Sequence, residues 1–188
     1  MPKILAFSGS ARTESWNKKL ITHSASLVKE YGADVKVIDL KDFPLPIYDG
    51  DEEKNTGIPE NARKIKAMMI EHDGVIISTP EYNSEIPPLL KNTIDWVSRP
   101  EKTDKTRLVA FNGKIAAVLS AAPGSLGGAR VRMSLRALLG YMGMIVVPEQ
   151  FGLSNCSQAF DEDGGLKNTV DQTLLNATLN RLIQLCAR

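Results

Sequence analysis

Cysteine and histidine are scarce in this chain of 188 residues, with two of each. Neither Cys156 nor Cys186 stands in a CxxC pair or in a Cys/His ligand spacing. That inventory provides no ligand set for zinc or an iron–sulfur cluster, so no metal site is expected. The two thiols read as reduced structural residues of a cytoplasmic protein. An excess of one charge is missing as well: 23 Lys and Arg stand against 22 Asp and Glu, a net charge of +1. This balance removes the electrostatic case for a dedicated nucleic-acid binder and weakens that for a polybasic membrane anchor. Long hydrophobic runs are missing too. The opening Ile4-Leu5-Ala6-Phe7 is too short for a signal-peptide core, and nothing approaches the ~20 apolar residues a bilayer-spanning helix needs. Neither GxxxxGK[ST] nor GxGxxG occurs, which excludes the nucleoside-triphosphate loop and the dinucleotide fingerprint. No repeat or low-complexity tract is found.

What is present is an ordinary soluble composition, 43% hydrophobic and 24% charged, in a single domain expected over residues 1–188. A chain of this length buries roughly 70% of its unfolded surface and so builds a real core. Short apolar runs alternate with helical spacing. Lys3–Ser8, Gly74–Ser78 and Lys114–Ser120 read as buried strands, Asp34–Leu40 as a strand apolar on both faces, and Met144–Val147 as a short one. Between them, 17–30, 59–71, 88–98 and 129–141 read as helices, with Pro59 and Pro88 in first turns. Residues 42–57, 100–112 and 151–165 read as loops or connections, and 166–187 as a C-terminal helix. Strands alternating with helices predict a parallel sheet covered on both faces. Five strands fit a flavodoxin-like doubly wound α/β sheet of order 2-1-3-4-5. Ligands of such sheets sit beyond the carboxyl ends of the strands. Three loops therefore matter: those after Ser8, Ser78 and Ser120.

The first loop, Gly9 to Asn17, combines Ser10, Arg12, Ser15 and Asn17 with a helix start. Free amides and the helix dipole favour an anion there, while the plain alternative is a polar turn capped by Ser15 or Asn17. The second, Thr79 to Pro88, places Tyr82 and Asn83 between prolines that restrict the backbone. The third, Ala121 to Gly128, is rich in glycine, which lets a ligand approach backbone closely. A phosphate end and a planar-ring end together suit a mononucleotide-like ligand.

The segments Gly9-Ser10-Ala11-Arg12-Thr13-Glu14-Ser15-Trp16-Asn17, Pro80-Glu81-Tyr82-Asn83 and Pro88 to Arg99, with Gly127-Gly128-Ala129-Arg130 and Leu135-Arg136, resemble the flavodoxin-like NADPH-dependent FMN reductases, among them bacterial quinone, chromate and azo-dye reductases. The resemblance covers about residues 3–147. It implies non-covalent FMN and NADPH or NADH as electron donor. Ser10, Arg12, Ser15, Trp16 and Asn17 would hold the phosphate. Pro80, Glu81, Tyr82, Asn83 and Ser84 would border the ring and ribityl chain, and Ser120, Pro123 and Gly124 would lie along the other side. Trp16 departs from the family's usual smaller residue or phenylalanine. The flavin carries the chemistry in such enzymes, so no side-chain acid, base or nucleophile is named. Implied acceptors are small molecules: quinones, flavins, azo compounds or metal ions, reduced in a ping-pong cycle. The resemblance also implies a homodimer, often paired into a tetramer. Some of the apolar surplus on 88–98, with Leu89, Leu90, Ile94, Trp96 and Val97, is expected to face a second subunit.

Two other readings remain open. A flavodoxin-type electron carrier for a protein partner is disfavoured by the net charge of +1. A flavin-free nucleoside deoxyribosyltransferase needs a nucleophilic carboxylate, for which Glu81 is the candidate; otherwise Glu81 reaches solvent or a partner subunit. His23 and His72 are expected on helix surfaces. Asp95 and Arg99 have the spacing of a helical ion pair. Arg130, Arg132 and Arg136 recur on one helix, as a phosphate site, an interface or a solvated face.

Overall fold

Three consecutive central strands explain most of the architecture of this computed structural model, which describes residues 1–187. They are β1 (Lys3–Ser8), β3 (Gly74–Ser78) and β4 (Ile115–Ala121), joined as parallel neighbours. Every residue of β3 and β4 is buried, as continuous apolar runs require when both faces are covered. Side chains alternate between the faces. Leu5, Phe7, Val75, Ile77, Ala116 and Val118 pack toward α3 (Glu60–Glu71), α4 (Pro88–Val97) and α5 (Ala129–Tyr141). Ile4, Ala6, Ile76, Ala117 and Leu119 pack toward α1 (Trp16–Glu30) and α6 (Thr169–Cys186). With β2 (Asp34–Asp39) outside β1 and β5 (Ile145–Val146) outside β4, the order is β2-β1-β3-β4-β5. This is the doubly wound order expected.

The far edge differs from expectation. The fifth position is shared by β5 and a sixth strand, β6 (Phe151–Leu153), within a stretch expected as loop. Ile145 pairs with Ile115, but Phe151 pairs with Leu119, so the register slips by two residues between the pieces. Pro148 lies in the break and has no amide to continue the ladder. The C-terminal helix starts at Thr169 rather than 166, because Asn168 caps it by accepting from the Val170 and Asp171 amides.

Residues 42–57 also hold more structure than expected. Asp49 caps α2 (Gly50–Thr56) by accepting from the Asp51 and Glu52 amides. This segment covers α4: the Trp96 indole donates to the Pro46 carbonyl at 2.8 Å, and Tyr48 meets the Trp96 ring edge-on at 5.0 Å. Leu90, Ile94, Trp96 and Val97 are all buried within the one chain. Most of the apolar surplus on α4 therefore belongs to its own fold rather than to a second subunit, and only Leu89 of the five is partly buried. Two further expectations are corrected. His72 is buried, 5% exposed, with Nδ1 2.6 Å from the Met68 carbonyl. Asp95 pairs with Lys91 and Arg99 with Glu53, each at 2.8 Å, because α4 ends before Arg99.

The charged connection after α4 is held by Lys66, a buried cation on α3. Its ammonium donates to the Arg99 carbonyl at 2.9 Å, Glu101 at 3.2 Å and Asp104 at 2.6 Å. Burial works to raise the pKa of Asp104, but the Lys66 hydrogen bond, the Glu101 amide and the Lys66 charge outweigh it and hold the carboxyl below its usual value. Such a carboxylate stabilises the fold above its unfolded pKa of about 3.9 and loses that contribution as pH falls through the folded value. Lys66→Met should therefore cost about 3 kcal/mol at pH 7 by leaving Asp104 without its cation, while Glu101 keeps Arg63 at 2.8 Å. Urea unfolding should find the gap from wild type narrowing below about pH 4.

Candidate functional site

Parallel strands place their carboxyl ends together, and here Ser8, Ser78 and Ala121 close β1, β3 and β4 on one rim of the sheet. The loops that leave them enclose a cleft of about 150 Å³.

The first loop is built around a close approach. Gly9 donates its amide to the Ser78 carbonyl at 2.9 Å, and a Cβ there would lie 3.1 Å from Leu90 and from the Thr79 hydroxyl. Ser10 accepts from the Arg12 amide, which tightens the turn. The Arg12 guanidinium donates to the Glu14 carbonyl at 2.7 Å and lines the cleft. Ser15 then occupies the capping position of α1 without making a side-chain cap, and the first turn contains no acid. The first helical bond runs from the Lys19 amide to the Ser15 carbonyl. The amides of Trp16, Asn17 and Lys18 consequently have no intrahelical acceptor. Trp16 and Ser15 both line the cleft.

Asn17 also lines the cleft but spends its side chain on the strands. Its Oδ1 accepts from the Ala121 amide and the Ser78 hydroxyl, both at 2.8 Å, and its Nδ2 donates to the Ala121 carbonyl at 2.9 Å. The expected cap role is thus absent: Asn17 is a buried bridge from α1 to the ends of β3 and β4.

In the second loop, Tyr82 and Glu85 exchange backbone bonds at 3.1 and 3.0 Å around Asn83 and Ser84. Both central residues have left-handed φ, 51° and 69°, as the tightest hairpin turn demands. Asn83 and Ser84 form the exposed tip, outside the cleft, while Pro80, Glu81 and Tyr82 line it. Glu81 neither reaches solvent freely nor waits for a subunit. Its Oε2 accepts from the Arg130 and Val131 amides at 3.1 Å, capping α5 from another loop.

Ala121, Ala122 and Pro123 complete the cleft. Ser120 is buried behind them, donating to the Gly127 carbonyl and accepting from the Arg132 guanidinium. A Cβ on Gly128 would come within 2.8 Å of the Ser120 hydroxyl, and its φ of 75° favours glycine in any case. Gly124 lies outside the cleft and accepts from Gly127 and Asn155 through its carbonyl. Neither alanine was expected as a site residue, Ala121 entering only as the start of the third loop; their signal is position alone, directly at the end of a buried strand.

All three α5 arginines have partners within the chain. Arg130 meets Glu81, Arg132 meets Ser120 and the Gly127 carbonyl, and Arg136 donates to the Val147 carbonyl at 2.7 Å. Burial lowers the pKa of the Arg132 guanidinium and raises that of the Cys156 thiol. Glu81 is the single carboxylate among the cleft residues, and it is committed to α5. The geometry is suited to binding an anion beside a flat group, without a side-chain nucleophile.

The sheet order, with an uncapped helix start directly after the first strand, defines a flavodoxin-like α/β protein. The family model for NADPH-dependent FMN reductases matches residues 2–158, and the chain belongs to this family. It is 32% identical to an NAD(P)H-dependent FMN reductase of Pseudomonas aeruginosa, over 96% of this chain and 92% of that one. It is 33% identical to a quinone reductase of Pseudomonas putida, over 92% and 88%. Among solved structures, the flavoenzyme NAD(P)H:(acceptor) oxidoreductase FerB of Paracoccus denitrificans superposes with a TM-score of 0.81 at 26% identity, covering 100% and 98%.

Asn17→Ala should destabilise the fold by about 2–4 kcal/mol, because the Ala121 amide and carbonyl lose their partners in a dry site. Denaturant unfolding of the flavin-free protein measures this directly.

Proposed function

We propose that this protein is an FMN-dependent NAD(P)H oxidoreductase that reduces quinones and similar small acceptors, flavins, azo compounds or metal ions among them. The observation that carries the reading is the start of α1: three amides without intrahelical acceptors, the uncommitted Ser15 hydroxyl, no acid in the first turn, and Arg12 alongside. This cradle fits a phosphate dianion. Ser10 and Asn17 shape it, and Trp16 walls it. Pro80, Glu81 and Tyr82 on one side and Ala122 and Pro123 on the other would hold the ring of FMN, with Asn83 and Ser84 at the outer rim. Ser120 and Gly124 support the third loop from behind.

Bound FMN supplies the hydride relay between the nicotinamide and the acceptor. The chain's contribution is placement. Glu81 ties the second loop to α5, so the cleft walls do not drift apart, and the Tyr82 hairpin leaves one side open, with Tyr82 46% exposed. One open side favours donor and acceptor taking turns, hence a ping-pong cycle. The commitment of Glu81 to α5 counts against a deoxyribosyltransferase nucleophile, and the net charge of +1 counts against an acidic electron carrier.

The same reading places the enzyme in the cytoplasm, as one domain, acting without nucleic acid. No helix among the described residues is long and apolar enough to cross a membrane. With α4 covered, an apolar stripe on α5 offers the contact for a homodimer or homotetramer: Met133 is 71% exposed and Tyr141 81%. Sedimentation at micromolar protein should give a dimer or tetramer mass, and a monomer would exclude that assembly.

Anaerobic NADPH should bleach flavin absorbance near 450 nm, and a quinone added afterwards should restore it. Plots at several quinone concentrations should be parallel, since the first product leaves before the acceptor binds. Arg12→Ala should weaken FMN binding by roughly 10- to 100-fold. An FMN affinity unchanged in this variant would leave the helix start as the only phosphate ligand.

A further inference from the structure

The chain beyond β6 has no motif, yet one of its side chains stands behind the cleft. Phe160 stacks on Trp16, with ring centroids 6.1 Å apart and planes 8° from parallel. The Lys19 ammonium lies 4.9 Å from the centre of the Trp16 ring. Phe160 is fixed in place by a bridge to Leu166 and by the Lys167 amide donating to the Ala159 carbonyl at 3.0 Å. The intervening loop is closed by Asp161, whose Oδ1 accepts from the Gly165 amide at 2.7 Å and the Asp163 amide at 3.0 Å.

Beyond this pair runs an open groove of about 700 Å³ between α1 and that loop. Ser15 borders both the cleft and the groove, whereas Trp16 lines only the cleft and Phe160 only the groove. The stacked rings are therefore a partition between two spaces that meet at the phosphate end of the site.

We propose that Phe160 is a specificity-determining residue: by backing Trp16 it restricts the site to a flavin that ends in a monophosphate. The inference rests on the phosphate lying at Arg12 and Ser15. A flavin dinucleotide continues past that phosphate into a second phosphate and an adenosine, and the groove is the adjoining space with room for them. The partition blocks that exit. The lysines bordering the groove already face carboxylates, Lys18 pairing with Asp39 and Lys19 lying 3.8 Å from Glu14. Its opposite bank carries Asp161, Glu162 and Asp163, which repel an anion. Loss of the Phe160 ring frees the Trp16 indole to swing outward and joins the two spaces.

The experiment measures FMN and FAD affinities, by flavin fluorescence, for wild type, Phe160→Ala, Phe160→Leu and Phe160→Tyr. Phe160→Leu keeps apolar bulk without a ring, so it reports even if the alanine variant does not fold. FMN should bind Phe160→Ala and Phe160→Leu about 2- to 10-fold more weakly, the value of one stacked aromatic pair. The FMN-over-FAD preference should fall at least 10-fold in both and stay at the wild-type ratio in Phe160→Tyr. A ratio unchanged in Phe160→Leu, whether both affinities drop together or neither moves, overturns the proposal. Wild type binding neither flavin overturns the functional reading itself, a separate result read from the wild-type arm alone.

Discussion

The side-chain amide of Asn17 makes three bonds, to the Ser78 hydroxyl and to both backbone groups of Ala121. Its own backbone belongs to the first turn of α1. One planar group thus fixes the spacing between the helix start after β1 and the ends of β3 and β4. The amide is well matched to this task because it offers both a donor and an acceptor with two lone pairs. Leucine would fill the space and satisfy nothing, and aspartate would lack the donor to the Ala121 carbonyl. Glu81 adds the second tie, between the loop after β3 and the start of α5. The cleft is therefore a product of strand ends locked by side chains rather than of a rigid loop backbone.

The parallel sheet and its order were legible because β1, β3 and β4 are buried on both faces, and continuous apolar runs are how such strands are written. What escaped was structure whose signal is local and polar. The helix α2 rests on the Asp49 cap and contains no buried residue, so no apolar periodicity marks it. Strand β6 has three residues and depends on its pairing with β4, a long-range fact that composition does not carry. The covering of Trp96 by Pro46 and Tyr48 depends on a segment more than forty residues upstream in the chain.

For the site, the three loops were legible from the strand ends, and the side chains within them were only partly so. Ser15 and Arg12 both line the cleft, as residues of the first loop were expected to. The family resemblance implied Ser120 as a ligand contact, but its hydroxyl is consumed by Gly127 and Arg132. Glu81 and Asn17 look like ligand groups in sequence and act as fasteners in space. A polar residue in a ligand loop has two competing partners, the ligand and the neighbouring loop, and only the folded geometry decides between them.

The edges of the sheet carry a consequence for how copies of the protein meet. On one side, β2 presents the charged Asp34 and Lys36 along its length. On the other, the outer strand is cut into β5 and β6, with a two-residue slip and Pro148 in the gap. An incoming strand would find no unbroken row of amides and carbonyls at that broken edge, and would meet charge at the other. Growth of the sheet from molecule to molecule is discouraged at both ends. Any contact between copies is thereby left to the helical faces, whose backbone groups are already paired within each helix and offer no template on which a fibre could grow.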